Sequence, residues 1–337
     1  MNISVILCTH NRSQSLAKAL NSVAASLLPD SVEWEVLVVD NNSNDQTRDV
    51  VEDFTRRCPG RFRYTFEPQP GKSHALNTGI RESRGDVLAF MDDDVIVEPT
   101  WLQNLTASLH GSEWAGAGGR ILAEQNFCPP GWLALEGPYG LGSMLYAHFD
   151  LGDKACELDR APYGTNMAFQ KKIFEKYGGF RTDMGPFPGS EIRNEDTELG
   201  RRLMAAGERL RYEPSAVVYH VVKENRVKKE FFLNFWRELG RSRVLEVGQG
   251  PSIVGIPRCY FSIPKTIGLT LLATLKWLLA FNPQRRFHAK GLVWYFAGQV
   301  MEIRNQTFGP KRSMSQGREV VRVKSDAEKL FGHAGDR

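Results

Sequence analysis

Apolar and polar positions alternate along the first 200 residues in a pattern that predicts strands and helices in turn. Short continuous apolar runs, such as Ile3 to Cys8 and Glu35 to Val39, are typical of strands buried on both faces. The run after the first strand has helical spacing from Ser13 to Leu28 and stops at Pro29. This order predicts an α/β fold in which crossover helices cover the sheet. Further predicted elements are strands at 61–66 and 86–91 and helices at 45–58, 73–83, 99–110 and 195–206.

The pattern changes in two later places. Residues 122–162 are glycine-rich with weak periodicity, which predicts a long irregular region of functional importance. Ile263 to Phe281 is mostly apolar, and its Lys265 and Lys276 fall on nearly the same helical face. This arrangement favours a helix lying in a membrane interface over a buried core helix, with a spanning helix as a third option. A second apolar run at 291–301 is too short to span a membrane.

These patterns divide the chain into three predicted parts. Residues 1–245 form an α/β catalytic domain, residues 246–310 a helical membrane-associating region, and residues 311–337 a basic tail. Charge follows a similar division, because residues 1–200 carry 18 Lys and Arg against 28 Asp and Glu, whereas residues 201–337 carry 25 against 11. A basic region beside apolar runs predicts contact with an anionic membrane surface.

The composition is ordinary for a folded protein, with 42% hydrophobic residues and a net charge of +4. The five cysteines are widely spaced and include no Cys-x-x-Cys pair. This argues against a disulfide framework or a zinc ribbon and favours a reducing compartment. The sequence opens with a strand pattern rather than a signal peptide. We therefore expect the protein at the cytoplasmic face of a membrane, and we expect no nucleic-acid partner.

The strongest chemical signal is the trio Asp92, Asp93 and Asp94, which directly follows an apolar strand. Like charges this close repel one another and are costly beside a core unless a cation neutralises them. Open α/β sheets also bind ligands at the carboxyl ends of their strands. Carboxylates and substrate phosphates are the usual ligands of Mg²⁺ and Mn²⁺, so the trio predicts a divalent metal site. An exposed acidic turn is the structural alternative.

Polar loops also follow the first two predicted strands. Neighbouring strand ends of this kind are where a nucleotide would lie, although turns rich in Asn and Asp also occur without a function. The side chains concerned are Thr9, Asn11, Arg12, Asp40 and Asn42.

Three weaker patterns complete the inventory. Glu195 and Asp196 begin a predicted helix, where composition alone favours ordinary capping. Segment 71–73 resembles the end of a phosphate-binding loop, but Phe66 stands where its first glycine is required. Segment 116–121 resembles a dinucleotide fingerprint but ends in isoleucine instead of glycine. The sequence therefore supports neither a P-loop nucleoside triphosphatase nor a nicotinamide dehydrogenase.

Taken together, these segments resemble the family 2 glycosyltransferases, whose GT-A fold is a Rossmann-like, open, twisted mixed sheet flanked by helices. The resemblance covers about residues 3–245 and implies an inverting transferase that uses a nucleoside-diphosphate sugar, with UDP-sugar favoured, and Mn²⁺ or Mg²⁺ as cofactor. The matching segments are 5–12, 39–43, 71–79, 85–86, 92–94, 164–169, 178–180 and 195–196.

The resemblance also implies a role for each matching residue. Asp196 would be the catalytic base, Asp94 a metal ligand, and Asp92 a ligand of the ribose or the metal. His220 would complete the metal site, as a late histidine does in some GT-A enzymes, with a core histidine as the alternative. Nucleotide contacts fall to Thr9, Asn11, Arg12, Asp40, Asn42, Lys72, Asn77, Asp92 and Asp93, and sugar or acceptor contacts to Thr165, Asn166 and Glu195.

The implied function is transfer of a sugar to a lipid-linked or polysaccharide acceptor in cell-envelope or exopolysaccharide synthesis. Two alternatives stay open. A nucleotidyltransferase that makes nucleotide-sugars would share the fold and the acidic metal site, but residues 4–12 lack its glycine-rich, basic loop. A catalytically inactive, membrane-associated scaffold of the same fold is the other, and the intact acidic motifs at 92–94 and 195–196 weigh against it.

Overall fold

Nine strands of the described chain form one sheet. The computed structural model describes residues 2–111, 113–124, 127–187, 193–247 and 263–308. The strands are β1 (Asn2–Thr9), β2 (Glu33–Asp40), β3 (Phe62–Phe66), β4 (Val87–Asp92), β5 (Val95–Val97), β6 (Gly116–Ala123), β7 (Cys156–Glu157), β8 (Asn166–Gln170) and β9 (Leu210–His220). Their order is β3-β2-β1-β4-β8-β6-β9-β5, and β7 pairs with β9.

Helices lie along the sheet and follow it toward the C-terminus. They are α1 (Ser13–Ala24), α2 (Thr47–Arg57), α3 (Lys72–Glu82), α4 (Trp101–Thr106), α5 (Gly142–Tyr146), α6 (Lys172–Tyr177), α7 (Glu195–Ala205), α8 (Lys229–Val247), α9 (Ile263–Leu279) and α10 (Pro283–Phe308). The predicted open α/β sheet with flanking helices is confirmed.

One half of the sheet is parallel and matches the predicted alternation closely. Strands β3, β2, β1 and β4 run in the same direction, and the apolar runs of β1 and β2 are buried as their continuous pattern predicted. The apolar residues of β4 are buried too, whereas β3 is mostly half-buried. The first helix is shorter than predicted and ends at Ala24. The backbone amides of Ala25 and Ser26 donate to the carbonyls of Ser22 and Val23. The helix therefore ends in tighter, 3₁₀-type hydrogen bonds before Pro29.

The other half makes the sheet mixed. β8 runs antiparallel to both β4 and β6, while β9 runs parallel to β6 and antiparallel to β5. Aromatic rings fill the layer behind this junction, where Phe90 packs against Phe169, Phe174 and Phe180 with centroids 5.6–6.4 Å apart. This packing fixes β4 against β8, the two strands whose ends border the acidic trio.

The predicted boundary at residue 245 lies two residues before the end of α8 (Lys229–Val247). This helix packs along α10, and two glycines allow the two backbones to approach closely. A Cβ on Gly240 would collide with the carbonyl of Tyr295, and one on Gly298 with the carbonyl of Arg237. Arg241 reinforces the crossing through a buried ion pair with Glu302 of α10 at 3.1 Å, and it also pairs with Glu238 of its own helix at 2.8 Å.

Helix α9 exposes a large apolar face. Leu271, Leu275 and Leu278 are more than half exposed, and Phe281 after it is fully exposed. None of the helices in the described ranges combines the length and apolar character that crossing a membrane requires. The predicted basic tail at 311–337 lies outside the described residues.

Candidate functional site

Strand register brings the separate motifs to one edge of the sheet. Thr9 at the end of β1 pairs with Asp40 at the end of β2, and Cys8 pairs with Asp92 at the end of β4. On the antiparallel side, Met91 pairs with Asn166, which places the loop before β8 beside the same edge. The cleft is therefore formed by the ends of neighbouring strands, as open α/β sheets favour.

Asp93 is held by the loop after β1. Its carboxylate accepts the hydroxyl of Thr9 at 2.7 Å and the guanidinium of Arg12 at 2.9 Å. Burial and the neighbouring Asp94 raise the pKa of Asp93, and Arg12 opposes this rise. Thr9 and Arg12 therefore act together on Asp93, and both predicted nucleotide contacts lie at the cleft.

Asp92 faces a different set of partners. Its carboxylate accepts the Nζ of Lys72 at 2.8 Å and the hydroxyl of Thr165 at 2.7 Å. Burial alone would raise the pKa of Asp92, but the charge of Lys72 outweighs it and holds the pKa well below its ordinary value. Asp92 is therefore ionised and is oriented by groups from both α3 and the loop before β8.

Lys72 links the acidic trio to the start of α7. The Nζ lies 3.4 Å from the carboxylate of Glu195, whose pKa is raised by burial and by its neighbour Asp196. Lys72, a predicted nucleotide contact, therefore lies in the cleft between Asp92 and Glu195.

Asp196 lies on the first turn of α7, next to Glu195. One carboxylate oxygen accepts the backbone amide of Gly164 at 2.6 Å, and the other accepts the amide of Thr197 at 2.6 Å. A Cβ on Gly164 would lie only 3.2 Å from that first oxygen, so a glycine suits this close approach. Thr165 follows directly and bonds Asp92, which places Asp196 on the same side of the sheet as the trio.

Asp94 faces a third set of partners, at the end of β9. The antiparallel pairing of Val95 with His220 places Asp94 beside the end of β9, and its Oδ1 lies 3.5 Å from the Nε2 of His220. Its Oδ2 lies 3.2 Å from Arg226, 3.5 Å from Lys223 and 3.4 Å from Arg12. Sequence patterns had given no sign of the two cations at 223 and 226.

A search of family models finds glycosyl transferase family 2 over residues 4–178, which is just over half of the chain. The chain belongs to this family. Glycosyltransferase AglE of Haloferax volcanii is 27% identical over 68% of this chain and 70% of its own length. The succinoglycan biosynthesis protein ExoM of Rhizobium meliloti is 28% identical over 67% of this chain and 69% of its own length.

Two further similarities extend the comparison. A glucosyl-dolichyl phosphate glucuronosyltransferase of Haloferax volcanii is 26% identical over 73% of this chain and 78% of its own length. Among solved structures, the mannosyltransferase PcManGT from Pyrobaculum calidifontis, in complex with GDP-Man and Mn²⁺, covers 89% of this chain with 86% of its own. Its TM-score is 0.59 at 18% identity, which supports the GT-A fold of this glycosyltransferase.

The family resemblance implies a divalent cation, and the positions of the side chains indicate which of them could hold it in the glycosyltransferase. Among the described side chains, no group of three or more His, Cys, Asp or Glu is arranged to hold a metal ion. Asp94 and His220 nonetheless form a suitable pair of donors. Burial lowers the pKa of His220, and its Nδ1 lies 3.1 Å from the carbonyl of Val221. Since a carbonyl only accepts, this contact favours the tautomer with its hydrogen on Nδ1, in which Nε2 offers its lone pair.

Asp92, expected to bind the ribose or the metal, has its carboxylate oxygens bonded to Lys72 and Thr165. Its charge still acts on both Asp94 and His220, so it lies near the pair. Asp94 and His220 fit a cation whose remaining ligands come from substrate phosphates, as is common for Mg²⁺ and Mn²⁺.

Two predicted ligand contacts have structural roles in the glycosyltransferase instead. The amide of Asn166 is fully buried; it accepts from Trp101 at 2.8 Å and donates to the carbonyls of Arg120 and Ala216. Asn77 exchanges two 2.8 Å hydrogen bonds with the backbone of Phe180. Their polar groups are occupied by the protein, so the predictions of sugar and nucleotide contact do not fit.

The loop after β2 is held by its own side chains. Asp40 accepts the amide of Ser43 at 2.9 Å and the hydroxyl of Tyr64 at 2.8 Å, and it is almost fully buried. Asn42 and Asn11 have positive φ angles of 64° and 52°, which asparagine tolerates well. Asn11 is exposed and remains beside the cleft as predicted.

Asn41 is a residue that sequence inspection missed. Its side-chain oxygen Oδ1 accepts the backbone amide of Gly71 at 2.7 Å, and its side-chain NH₂ group donates to the backbone carbonyls of Glu67 and Gln69. It therefore fixes the start of α3, and with it Lys72. Gly71 itself has a φ of 132°, which only glycine adopts without strain.

A cavity of about 530 Å³ opens beside Asp94. It is bordered by the start of α1, the first residues of β5 and the segment after β9, and its basic side chains are Arg12, Lys18 and Lys223. The glycosyltransferase therefore presents positive charge around the carboxylate that pairs with His220.

Proposed function

We propose that the protein is an inverting, metal-dependent glycosyltransferase that moves a sugar from a nucleoside-diphosphate sugar to an acceptor hydroxyl. The observation that carries the proposal is the position of Lys72, which contacts both Asp92 at the end of β4 and Glu195 at the start of α7. Asp196 and the strand-end carboxylates therefore border one cleft, where a donor and an acceptor can meet.

The chemistry that we assign to the chain begins with Asp196. Its carboxylate takes the proton of the acceptor hydroxyl while that oxygen forms a bond to the anomeric carbon of the sugar. The bond from the same carbon to the diphosphate oxygen breaks, and the nucleoside diphosphate leaves with its electron pair. A single displacement of this kind inverts the anomeric centre.

The amides of Gly164 and Thr197 orient the Asp196 carboxylate, and Glu195 borders the acceptor side. Thr165 positions Asp92 toward the sugar-bearing part of the donor. We assign the nucleotide to the side of the cleft formed by Thr9 and Arg12.

Asp94 and His220 would hold a divalent cation, which neutralises negative charge on the leaving diphosphate when it is bound. UDP-sugars are the donor class that we propose first, because the family resemblance favours them. A thermal-shift comparison of UDP, GDP and dTDP, each with and without Mn²⁺, identifies the base. A base that stabilises the protein only together with Mn²⁺ is the expected result.

The substitution Asp196→Asn tests the catalytic assignment. It keeps the shape of the side chain but removes its basicity, so transfer should be abolished while nucleoside-diphosphate binding persists. Glu198→Gln is the matched control, because Glu198 lies on the same turn but pairs with Arg202. Released nucleoside diphosphate and calorimetric binding are the two measurements. Turnover retained by Asp196→Asn would remove Asp196 from the role of base.

We further propose that the acceptor is a lipid-linked or polysaccharide glycan at the cytoplasmic face of a membrane. One relative is named for succinoglycan biosynthesis and another for glucosyl-dolichyl phosphate, which supports this class of acceptor. Support in the chain itself comes from the exposed leucines of α9 together with four exposed cations, which are Lys265, Lys276, Arg285 and Arg286. Apolar and basic groups on one exposed surface favour an anionic bilayer. Four cysteines, Cys8, Cys58, Cys128 and Cys156, are free, as expected in a reducing compartment.

Vesicle flotation tests this membrane contact. Vesicles of phosphatidylcholine with added phosphatidylglycerol should bind the protein, and the double variant Leu271→Glu/Leu275→Glu should lose binding. Leu27→Glu is the control, because Leu27 is equally exposed but lies after α1. Binding that survives the double variant would rule out the α9 face, and a dimer that dissociates in this variant would identify a second copy of the chain as its partner.

A further inference from the structure

Arg226 lies between the two residues that we assign to the metal. It belongs to a short 3₁₀ turn, Glu224–Arg226, which follows β9. One guanidinium nitrogen lies 3.2 Å from the Oδ2 of Asp94, and another lies 3.4 Å from the Nε2 of His220. Arg12 and Lys223 also approach Asp94, but Arg226 contacts both members of the pair.

The contacts of the His220 ring indicate which interaction Arg226 makes with it. The Nδ1 of His220 faces a backbone carbonyl, so Nε2 offers a lone pair and the guanidinium donates to it. A guanidinium has donors and no acceptor, and at Asp94 it therefore uses the same oxygens and charge that a divalent cation would use. Both cations cannot take the Nε2 lone pair at once.

Charge strengthens this competition. The carboxylates of Asp93 and Asp94 are both almost fully buried, and their basic neighbours include Arg12, Lys223 and Arg226. The basic groups are already sufficient to compensate two carboxylates. A further divalent cation would meet repulsion unless a basic group withdrew.

We propose that Arg226 is an internal counter-ion that occupies the Asp94–His220 pair until a divalent cation displaces it. The inference rests on the proposed function, because it concerns the metal of the same cleft. It assigns Arg226 the role of setting the affinity of the chain for the metal. The exchange moves the guanidinium of Arg226 away from His220, since both of its contacts break together.

Titration of the full chain with Mn²⁺ alone, without nucleotide, tests this competition. Free Mn²⁺ is measured by electron paramagnetic resonance for the wild type, Arg226→Gln, Arg226→Lys and Lys18→Gln. Arg226→Gln should bind Mn²⁺ about ten-fold more tightly, since removal of one close charge has effects of this order. Arg226→Lys should stay near the wild type because it keeps the charge.

Lys18→Gln removes a charge that borders the same cavity, and it should leave the affinity nearly unchanged. Equal or weaker binding by Arg226→Gln, with Asp94→Asn still abolishing binding, would overturn the inference and leave the proposed function standing. Tightening by Lys18→Gln to the same extent would also overturn it, because the effect would then be general charge removal. Absence of Mn²⁺ binding in every variant, with or without UDP and GDP, would overturn both. Melting temperatures confirm that each variant is folded, and Arg226→Met replaces Arg226→Gln if the latter is not.

Discussion

The Nζ of Lys72 lies 3.4 Å from the Oε1 of Glu195, in an ion pair that joins the start of α3 to the start of α7. Burial alone would lower the pKa of Lys72, but Asp92 and Glu195 raise it well above its ordinary value. The lysine therefore remains charged and compensates carboxylates from two distant parts of the chain. Its first role is to hold the cleft together.

The substitution Lys72→Met should lower the free energy of unfolding by about 3 kcal/mol, because it leaves the buried Glu195 and the partly buried Asp92 without their cation. Lys176→Met is the control; Lys176 pairs with Glu208 on the surface, where little loss of stability is expected. Urea denaturation measures both. Adding Glu195→Gln to Lys72→Met should recover part of the loss, and a further loss of stability would contradict this account.

The substitution Asn166→Ala should destabilise the fold by about 3 kcal/mol. It leaves the indole of Trp101 and the carbonyls of Arg120 and Ala216 without their buried partner. Because no polar group of Asn166 is available to a ligand, the KM for the donor should change little in the fraction that remains folded. A large rise in KM with unchanged stability would restore the predicted sugar contact.

Asp45 should make the stability of the protein depend on pH. Burial disfavours its charge, but hydrogen bonds from Thr47 and Ser13 outweigh this and lower its pKa to about 2. A lowered pKa stabilises the folded state above the ordinary value near pH 4, and this stabilisation is lost as the pH falls through about 2.

Asp45→Asn should therefore lose about 1 kcal/mol at pH 7, with the difference from the wild type narrowing at pH 3. Urea denaturation across this range measures the difference. Asp49→Asn in the first turn of α2, the helix that follows Asp45, is the control, because Asp49 is exposed and should show a smaller loss. A difference that is the same at both pH values would assign the effect to shape rather than to charge.

The crossing of α8 and α10 should tolerate no side chain at its glycines. Gly298→Ala places a Cβ against the carbonyl of Arg237, and a loss of about 2 kcal/mol is expected because two backbones must separate. Gly268→Ala on α9 is the control. Nothing lies within 4 Å of its Cβ, and the better helix propensity of alanine should raise stability by up to about 1 kcal/mol. Similar melting temperatures for the two variants would contradict the close crossing.

Much of the cleft could be predicted from the sequence because the point where a strand ends can be recognised from a few neighbouring residues. An apolar run followed by Asp40 or Asp92 identifies both a strand and the point where it ends. Parallel pairing then brings such ends together without further information. The predicted trio, its two neighbouring loops and the acidic start of α7 all lie at one edge for this reason.

The remaining assignments depend on contacts that the sequence does not encode locally. Asn166 looked like a ligand residue, but its partners come from α4, β6 and β9, and burial alone decides its role. Arg226 was missed because it follows no motif, and only the pairing of β5 with β9 brings it to Asp94. The packing of the C-terminal helices could not be predicted either, because a change in composition does not reveal which helix packs on which.

The contact between α8 and α10 at Gly240 and Gly298 is backbone against backbone, and so it has little room to slide. Only eight residues, 221–228, separate α8 from the end of β9. Arg226 lies within that short connection. A displacement of the C-terminal helices is therefore transmitted through this connection to the end of the sheet. The arginine beside His220 would be the first residue of the cleft to move.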